Sequence, residues 1–419
     1  MISLPSQVDI AIIGAGLSGL SAALYCEQQG YNPLILEAGN AVGGRVQSDE
    51  VDGFILDHGF QVLLSAYDKA SEIFDKDGLQ LASFASGALI YDEKGSYRIG
   101  DPLRDSSQML PMLFSRVGSL GDKFRMWKLS NKLKGLSPET CFDGEDISTR
   151  AYLQGLGFSE QMMRSFFRPF FGGIFLERAL DTPAGMFRFV FRCFSMGTAC
   201  LPAKGMQALP DQLAQRLQRS TIRLKSRVDS LSQEGLIRLK SGEELQARKV
   251  ILACDPKSLL PQMDEALSYQ RTTCMYFAGP GSLPTMRGYI GLDAREKSAI
   301  NNFCRLDEVQ PAYAPKGQSL WSVTLRDKAT ESHLQIAESL ASLLSCSAAD
   351  LRHLRSYRID RALPKIASPR HDIPAEQSQL GSHIYLAGDY LLNASIEAAL
   401  RSGQRAAEAC TETLEKIPA

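Results

Sequence analysis

The stretch VDIAIIGAGLSGLSAALYCEQQGYNPLILEAG, residues 8–39, constrains this chain more than any other. Residues 8–13 form an apolar, β-branched run of the kind a fully buried strand needs. Gly14-x-Gly16-x-x-Gly19 follows at once, then a helix by composition that closes at Gly30, then a second strand ending at Glu37. In that setting each glycine has a mechanical reason. Gly14 permits the tight turn, Gly16 lets a pyrophosphate approach the backbone, and Gly19 lets the helix pack close to the sheet. Ala15, Leu17 and Ser18 complete the expected cofactor-binding turn. The first N–H groups of the helix and its positive dipole end favour phosphate. Glu37 can accept both hydroxyls of an adenosine ribose and disfavours a 2′-phosphate; Ala38 follows it in the same loop. The pattern predicts an α/β fold with a Rossmann-like dinucleotide-binding domain. By itself it fits NAD and FAD equally.

At 419 residues the chain exceeds one ordinary core, so two domains are expected. A net charge of −1 supplies no field that would draw in nucleic acid. The nine cysteines are odd in number and scattered, with no C-x-x-C, which reads as free thiols in a reducing compartment. The histidines at 58, 333, 353, 371 and 383 show no ligand spacing, so no metal site is expected. No run of 18 apolar residues and no charged-then-apolar leader is present, which predicts a cytoplasmic or peripheral protein.

The residues after Glu37 narrow the ligand. LEAGNAVGGRVQS places Gly43, Gly44 and Arg45 six to eight residues beyond it. The paired glycines permit backbone approach to a second part of the same ligand, and Arg45 offers a planar fork to a phosphate. This stretch resembles the dinucleotide-binding extension of flavin-dependent amine oxidases, carotenoid desaturases and protoporphyrinogen oxidases. The resemblance implies non-covalent FAD and a GR2-type flavoprotein fold with an inserted α+β substrate domain. It divides the chain into an FAD-binding domain (1–100, 205–265 and 375–419) and a substrate-binding domain (101–204 and 266–374).

Other segments extend the likeness. DGFILDHGFQVL, residues 52–63, is similar to the part that passes beside the flavin ring, which implies Gly59, Phe60 and Gln61 as its neighbours. His58 and Gln61 are the candidates there for a catalytic role. LPAKGMQALPDQLAQRL, residues 201–217, reads as a glycine turn and an amphipathic helix, followed by three strands with polar turns. By the resemblance, Val228 in that region would read the adenine edge with its backbone. LAGDYLLNASIEAALRSG, residues 386–403, matches the family's last motif. There Gly388 and Asp389 are implied to hold the ribityl or pyrophosphate part. Ser395, Ile396 and Glu397 begin a helix whose N-terminus faces the flavin O2/N1 edge, where its dipole favours the charge of the reduced ring.

FFRPFFGGIFLERALDT (166–182) and RALPKI (361–366) are similar to the protoporphyrinogen oxidase and desaturase branch. YQRTTCMYF (269–277) lacks the lysine that many amine oxidases place near flavin N5, and no cysteine precedes the last strand where covalent FAD would attach. No second strand-borne GxGxxG exists; GPGSLP (279–284) breaks the pattern, so the flavin is expected to be reduced by the substrate itself. The insertions are rich in Phe, Met and Leu. Phe187, Phe189 and Phe191 alternate with Arg188 and Arg192, as in a strand or tight helix with one apolar face. A hydrophobic small-molecule substrate fits this composition.

The expected function is an FAD-dependent oxidase or dehydrogenase, a desaturase included. An amine oxidase and a non-redox flavoprotein such as a carotenoid isomerase are the alternatives. Residues 109–136 carry six Lys or Arg against one Asp with Trp127 among apolar residues. They read either as a solvated amphipathic helix or as a peripheral contact with an anionic membrane. The sequence leaves open the oligomeric state and the electron acceptor, oxygen or quinone.

Overall fold

The computed structural model describes residues 4–100, 117–260 and 267–414. The apolar run at the N-terminus forms the strand Gln7–Ile13, the centre of a seven-stranded sheet. Leu34–Leu36 pairs parallel on one side of it and Glu244–Leu252 parallel on the other, with Ile13 opposite Leu252. Thr221–Arg223 adds a parallel strand outside Leu34–Leu36. The far edge of Glu244–Leu252 is shared. Leu236–Leu239 pairs antiparallel along its first half, and the late strand Ile384–Leu386 pairs parallel along its second. Val228–Leu231 closes that side. The segment after residue 221 therefore holds four strands where three were expected. Lys225, at φ +54°, breaks the run and sends its two parts to opposite edges of the sheet.

The helix Leu17–Gln28 covers one face of this sheet and is packed in turn by the C-terminal helix Ile396–Glu412. They meet at a glycine: a Cβ on Gly403 would lie 2.2 Å from the Ser18 carbonyl oxygen. Ser21 Oγ donates to the Leu400 carbonyl at 2.7 Å inside this contact. Here the end of the chain is drawn onto its beginning.

A second seven-stranded sheet runs in the order 352–364, 269–280, 318–325, 300–305, 290–293, 87–92, 95–100. Its pairings are antiparallel except that Ile290–Asp293 lies parallel to Gly87–Asp92. Trp321, Phe277 and Phe303 are fully buried in it. The hairpin 87–100 thus belongs to this sheet, so the expected boundary at residue 100 moves towards residue 86 when drawn by strand pairing. Helices including Leu120–Lys134, Arg168–Phe175 and Ala184–Met196 form a lobe beside the sheet. The alternating phenylalanines lie on the last of these, an α-helix, with Phe187 and Phe189 buried and Phe191 half-buried. This is the α/β fold with an inserted α+β portion that the sequence predicts. Among the described residues, no helix is long and apolar enough to cross a membrane.

Candidate active site

The two glycine-rich turns hold each other. Gly43 N–H donates to the Ala15 carbonyl at 2.8 Å, and Gly14 N–H donates to the Leu36 carbonyl at 2.9 Å. The Glu37 carboxylate ties the loops together, accepting Ala15 N–H at 2.7 Å and Gly39 N–H at 2.7 Å. Gly19 is required for packing, since a Cβ there would lie 2.0 Å from the Gly14 carbonyl oxygen. Gly16 differs. Its backbone is extended, and a Cβ would meet nothing closer than the Gly43 carbonyl oxygen at 3.9 Å. The space beside Gly16 is not filled by protein.

From the other end of the chain, Gly388 N–H donates to Ser402 Oγ at 3.0 Å, which fixes the turn after Ile384–Leu386. Asp389 is buried and accepts a hydrogen bond from Arg45 Nη2. Arg45 also donates to the Ala362 carbonyl at 3.2 Å, and Arg361 beside it pairs with Asp255 at 2.9 Å. The RALPKI segment is therefore fastened to the cofactor-binding loop. Ser395 caps the C-terminal helix by accepting Ala398 N–H at 3.0 Å, directly after Ala394, which takes a left-handed φ of +58°.

These parts surround one cavity of about 940 Å³. Its wall includes Gly14, Gly16, Leu17, Ser18, Glu37, Gly43, Gly44 and Arg45 from the start of the chain. It also includes His58, Gly59, Phe60 and Gln61, and Gly388, Asp389, Ser395 and Ile396 from the end. Four expected residues stand off it. Ala15 and Gly19 shape the turn from behind, and Ala38 follows Glu37 in the loop. Val228 is half-buried in the strand beyond Ser226, whose N–H is bound to the Glu37 carbonyl at 2.7 Å; it does not line the cavity.

His58 is braced. Its Nε2 lies 3.1 Å from Asp49 Oδ1, and its ring lies 4.8 Å from that of Tyr357. Burial works against the Asp49 charge, but the hydrogen bond from Tyr357, the nearby His58 ring and the hydrogen bond from Arg355 outweigh it and hold the carboxyl below its usual range. Gln61 spends its amide N–H groups on the Arg45 and His58 carbonyls, at 2.8 and 3.1 Å. Both side chains are arranged to fix the loop. Next to them, Asp57 is fully buried and accepts from Ser48 Oγ, Met206 N–H and Tyr313 OH. Burial pushes its carboxyl up to about 6 against those bonds.

Beyond the loops the cavity continues into an aromatic compartment. Phe166, Phe170, Phe171, Phe191 and Phe194 line it with Met126, Met162 and Met186. Phe166 and Phe170 stack at 5.4 Å, and Phe166 sits in a π-helical turn, Met163–Phe167, that feeds the helix Arg168–Phe175. Lys123 is a charged side chain of this compartment that sequence reasoning missed. It is buried on the wall of this compartment, and burial lowers its ammonium from the usual lysine range. Its only sequence signal was membership of a basic segment.

The chemistry of the wall fits FAD. One end offers backbone glycines, a carboxylate for ribose and a guanidinium for phosphate, and the other end a helix N-terminus. Fold and cavity together suit a flavin-binding protein, with FAD as its cofactor. The profile of the family described as "Flavin containing amine oxidoreductase" matches residues 17–411, and the chain belongs to that family. Coproporphyrinogen III oxidase of Staphylococcus aureus is 31% identical over 180 residues, 40% of this chain and 36% of that relative. The chain thus spans little more than a third of the length of that curated relative. A solved candidate protoporphyrinogen oxidase from an Exiguobacterium species superposes with TM-score 0.72 at 20% identity, over 98% of this chain and all of that one. Cyclohexylamine oxidase from Brevibacterium oxydans superposes with TM-score 0.73 at 17% identity, over 97% of this chain and 99% of that one. Both structural matches speak for the fold.

Proposed function

We propose that the protein is an oxidase or dehydrogenase, a desaturase included, that takes hydride from a hydrophobic, ring- or polyene-bearing small molecule. The observation that carries this reading is the continuity of the cavity from the Gly14–Gly16 turn to the aromatic compartment. When bound, FAD supplies the two-electron acceptor. Gly16 and Gly44 give backbone access, Glu37 takes the ribose hydroxyls without covalent attachment, and Arg45 meets the pyrophosphate while paired with Asp389. The N-terminus of Ile396–Glu412 lies where negative charge is favoured. Phe166, Phe170 and Phe194 hold and orient the substrate in a dry environment.

On the wall beside the loops, His58 lies against Asp49 and Gln61 is bound to two carbonyls, so this reading assigns neither a proton-transfer role. Hydride transfer from a C–H bond with the proton lost to water elsewhere suits such a site. The amine oxidase reading is the weaker one. The cavity face of Tyr269–Pro280 shows Tyr269 and Thr272 and no lysine. Anaerobic bleaching of the bound flavin against amines, porphyrinogens, carotenoids and apolar ring compounds tests the proposal. Bleaching by a ring or polyene compound is expected; bleaching by amines alone, or product formed with no net oxidation, would replace it.

A further inference from the structure

The helix Leu120–Lys134 has two unlike faces. Ser119 caps it in a reciprocal capping box with Asp122, and Asp122 is fully buried and also holds Ser159. The only acid of the helix therefore offers no charge to solvent. The inward face places Lys123, Met126, Trp127 and Ser130 on the cavity wall. The outward side carries an apolar stripe among exposed basic and polar residues. Leu120, Phe124 and Trp127, at helical spacing, are 68, 63 and 48% exposed, and the rings of Phe124 and Trp127 lie 5.8 Å apart. Met196, 54% exposed, ends the neighbouring helix next to Ser195, whose Oγ lies 3.3 Å from Ser130 Oγ. Half of the strongly exposed large apolar side chains among the described residues lie on these two neighbouring helices. Clustering of that kind marks an interaction surface.

What covers it is indicated by charge and by position. Lys128 and Lys132 are exposed on the same helix. An apolar stripe rimmed by lysines matches an anionic bilayer, where apolar side chains enter the headgroup boundary and cations meet lipid phosphates. Trp127 is both half-exposed and part of the cavity wall, so the patch borders the mouth of the cavity. We infer that this face docks the protein on an anionic phospholipid surface and opens the apolar compartment towards the lipid.

Flotation of the FAD-loaded chain with vesicles of phosphatidylglycerol in phosphatidylcholine tests the inference. Binding at low salt is expected, weakened by high salt and by pure phosphatidylcholine. The double variants Leu120→Ser/Phe124→Ser and Lys128→Glu/Lys132→Glu should each lower partitioning by about tenfold or more while keeping flavin content and far-ultraviolet dichroism. The wild-type chain gives an independent reading, because Trp321 is fully buried and Trp127 is not. Brominated lipid should quench only the Trp127 part of the emission. A wild type that stays in solution at low salt, tryptophan emission untouched by brominated lipid, or a patch closed by self-association that Leu120→Ser/Phe124→Ser abolishes would each overturn it.

Discussion

Arg45 is the residue on which the two ends of the site converge. Its guanidinium reaches Asp389 and the Ala362 carbonyl at once, a planar task that an ammonium point charge cannot reproduce. Arg45→Lys is expected to weaken FAD binding about 10- to 100-fold, as loss of charge-assisted hydrogen bonds implies, measured by fluorescence quenching of added FAD. Asp57 makes a prediction in pH. Its folded carboxyl titrates near 6, up from its usual place near 3.8, so the folded state holds the proton more tightly than the unfolded chain. Its contribution to stability is full below the unfolded value and is lost as pH rises through about 6, by up to roughly 3 kcal/mol. Asp57→Asn has no such dependence. The difference in urea unfolding free energy between wild type and variant should therefore shift across that window, with the wild type gaining on the variant as pH falls. A constant difference would show that Asp57 is not protonated in the folded protein.

Among elements, the paired helices Leu17–Gln28 and Ile396–Glu412 bring the ends of the chain together. Their contact depends on Gly403, while Gly19 seats the first helix on the Gly14 turn. Gly403→Leu should force them apart, cost about 1–3 kcal/mol of overpacking and shed FAD with stability, in thermal unfolding and flavin retention together. How far the sequence disclosed this follows from the range of each signal. The strand–turn–helix at 8–28 was legible because its partners are adjacent in the chain. Asp389 was legible as a turn residue, but its partner was expected to be the cofactor alone. The structure adds a direct pair with Arg45, which no local pattern encodes. The pairing of the hairpin 87–100 with the second sheet was not legible, because its partner strand, Ile290–Asp293, lies about two hundred residues further on. The alternating phenylalanines at 187–191 mimic a strand until the buried neighbours of Ala184–Met196 are known. Lys123 could not be told from a solvated lysine, because burial is a property of the fold.

For the whole molecule, the site is assembled from segments hundreds of residues apart, so ligand and fold must be coupled. A ligand that binds only the native state stabilises it by mass action, about 2.7 kcal/mol at a hundredfold excess over its dissociation constant. Added FAD should raise the unfolding temperature of flavin-stripped protein by several degrees, and FMN, lacking the adenosine half, should not.

The central claim is that one FAD touches both the turn at Gly16 and the carboxylate at Asp389. Titration of flavin-stripped wild type, Gly16→Ala and Asp389→Ala with FAD tests it most directly. The alanine at 16 fits an extended backbone and meets no protein atom closer than 3.9 Å, so that variant should fold normally. One FAD per wild-type chain is predicted, with affinity lowered by about tenfold or more in each variant. A Gly16→Ala or Asp389→Ala protein that binds FAD as tightly as the wild type would contradict it.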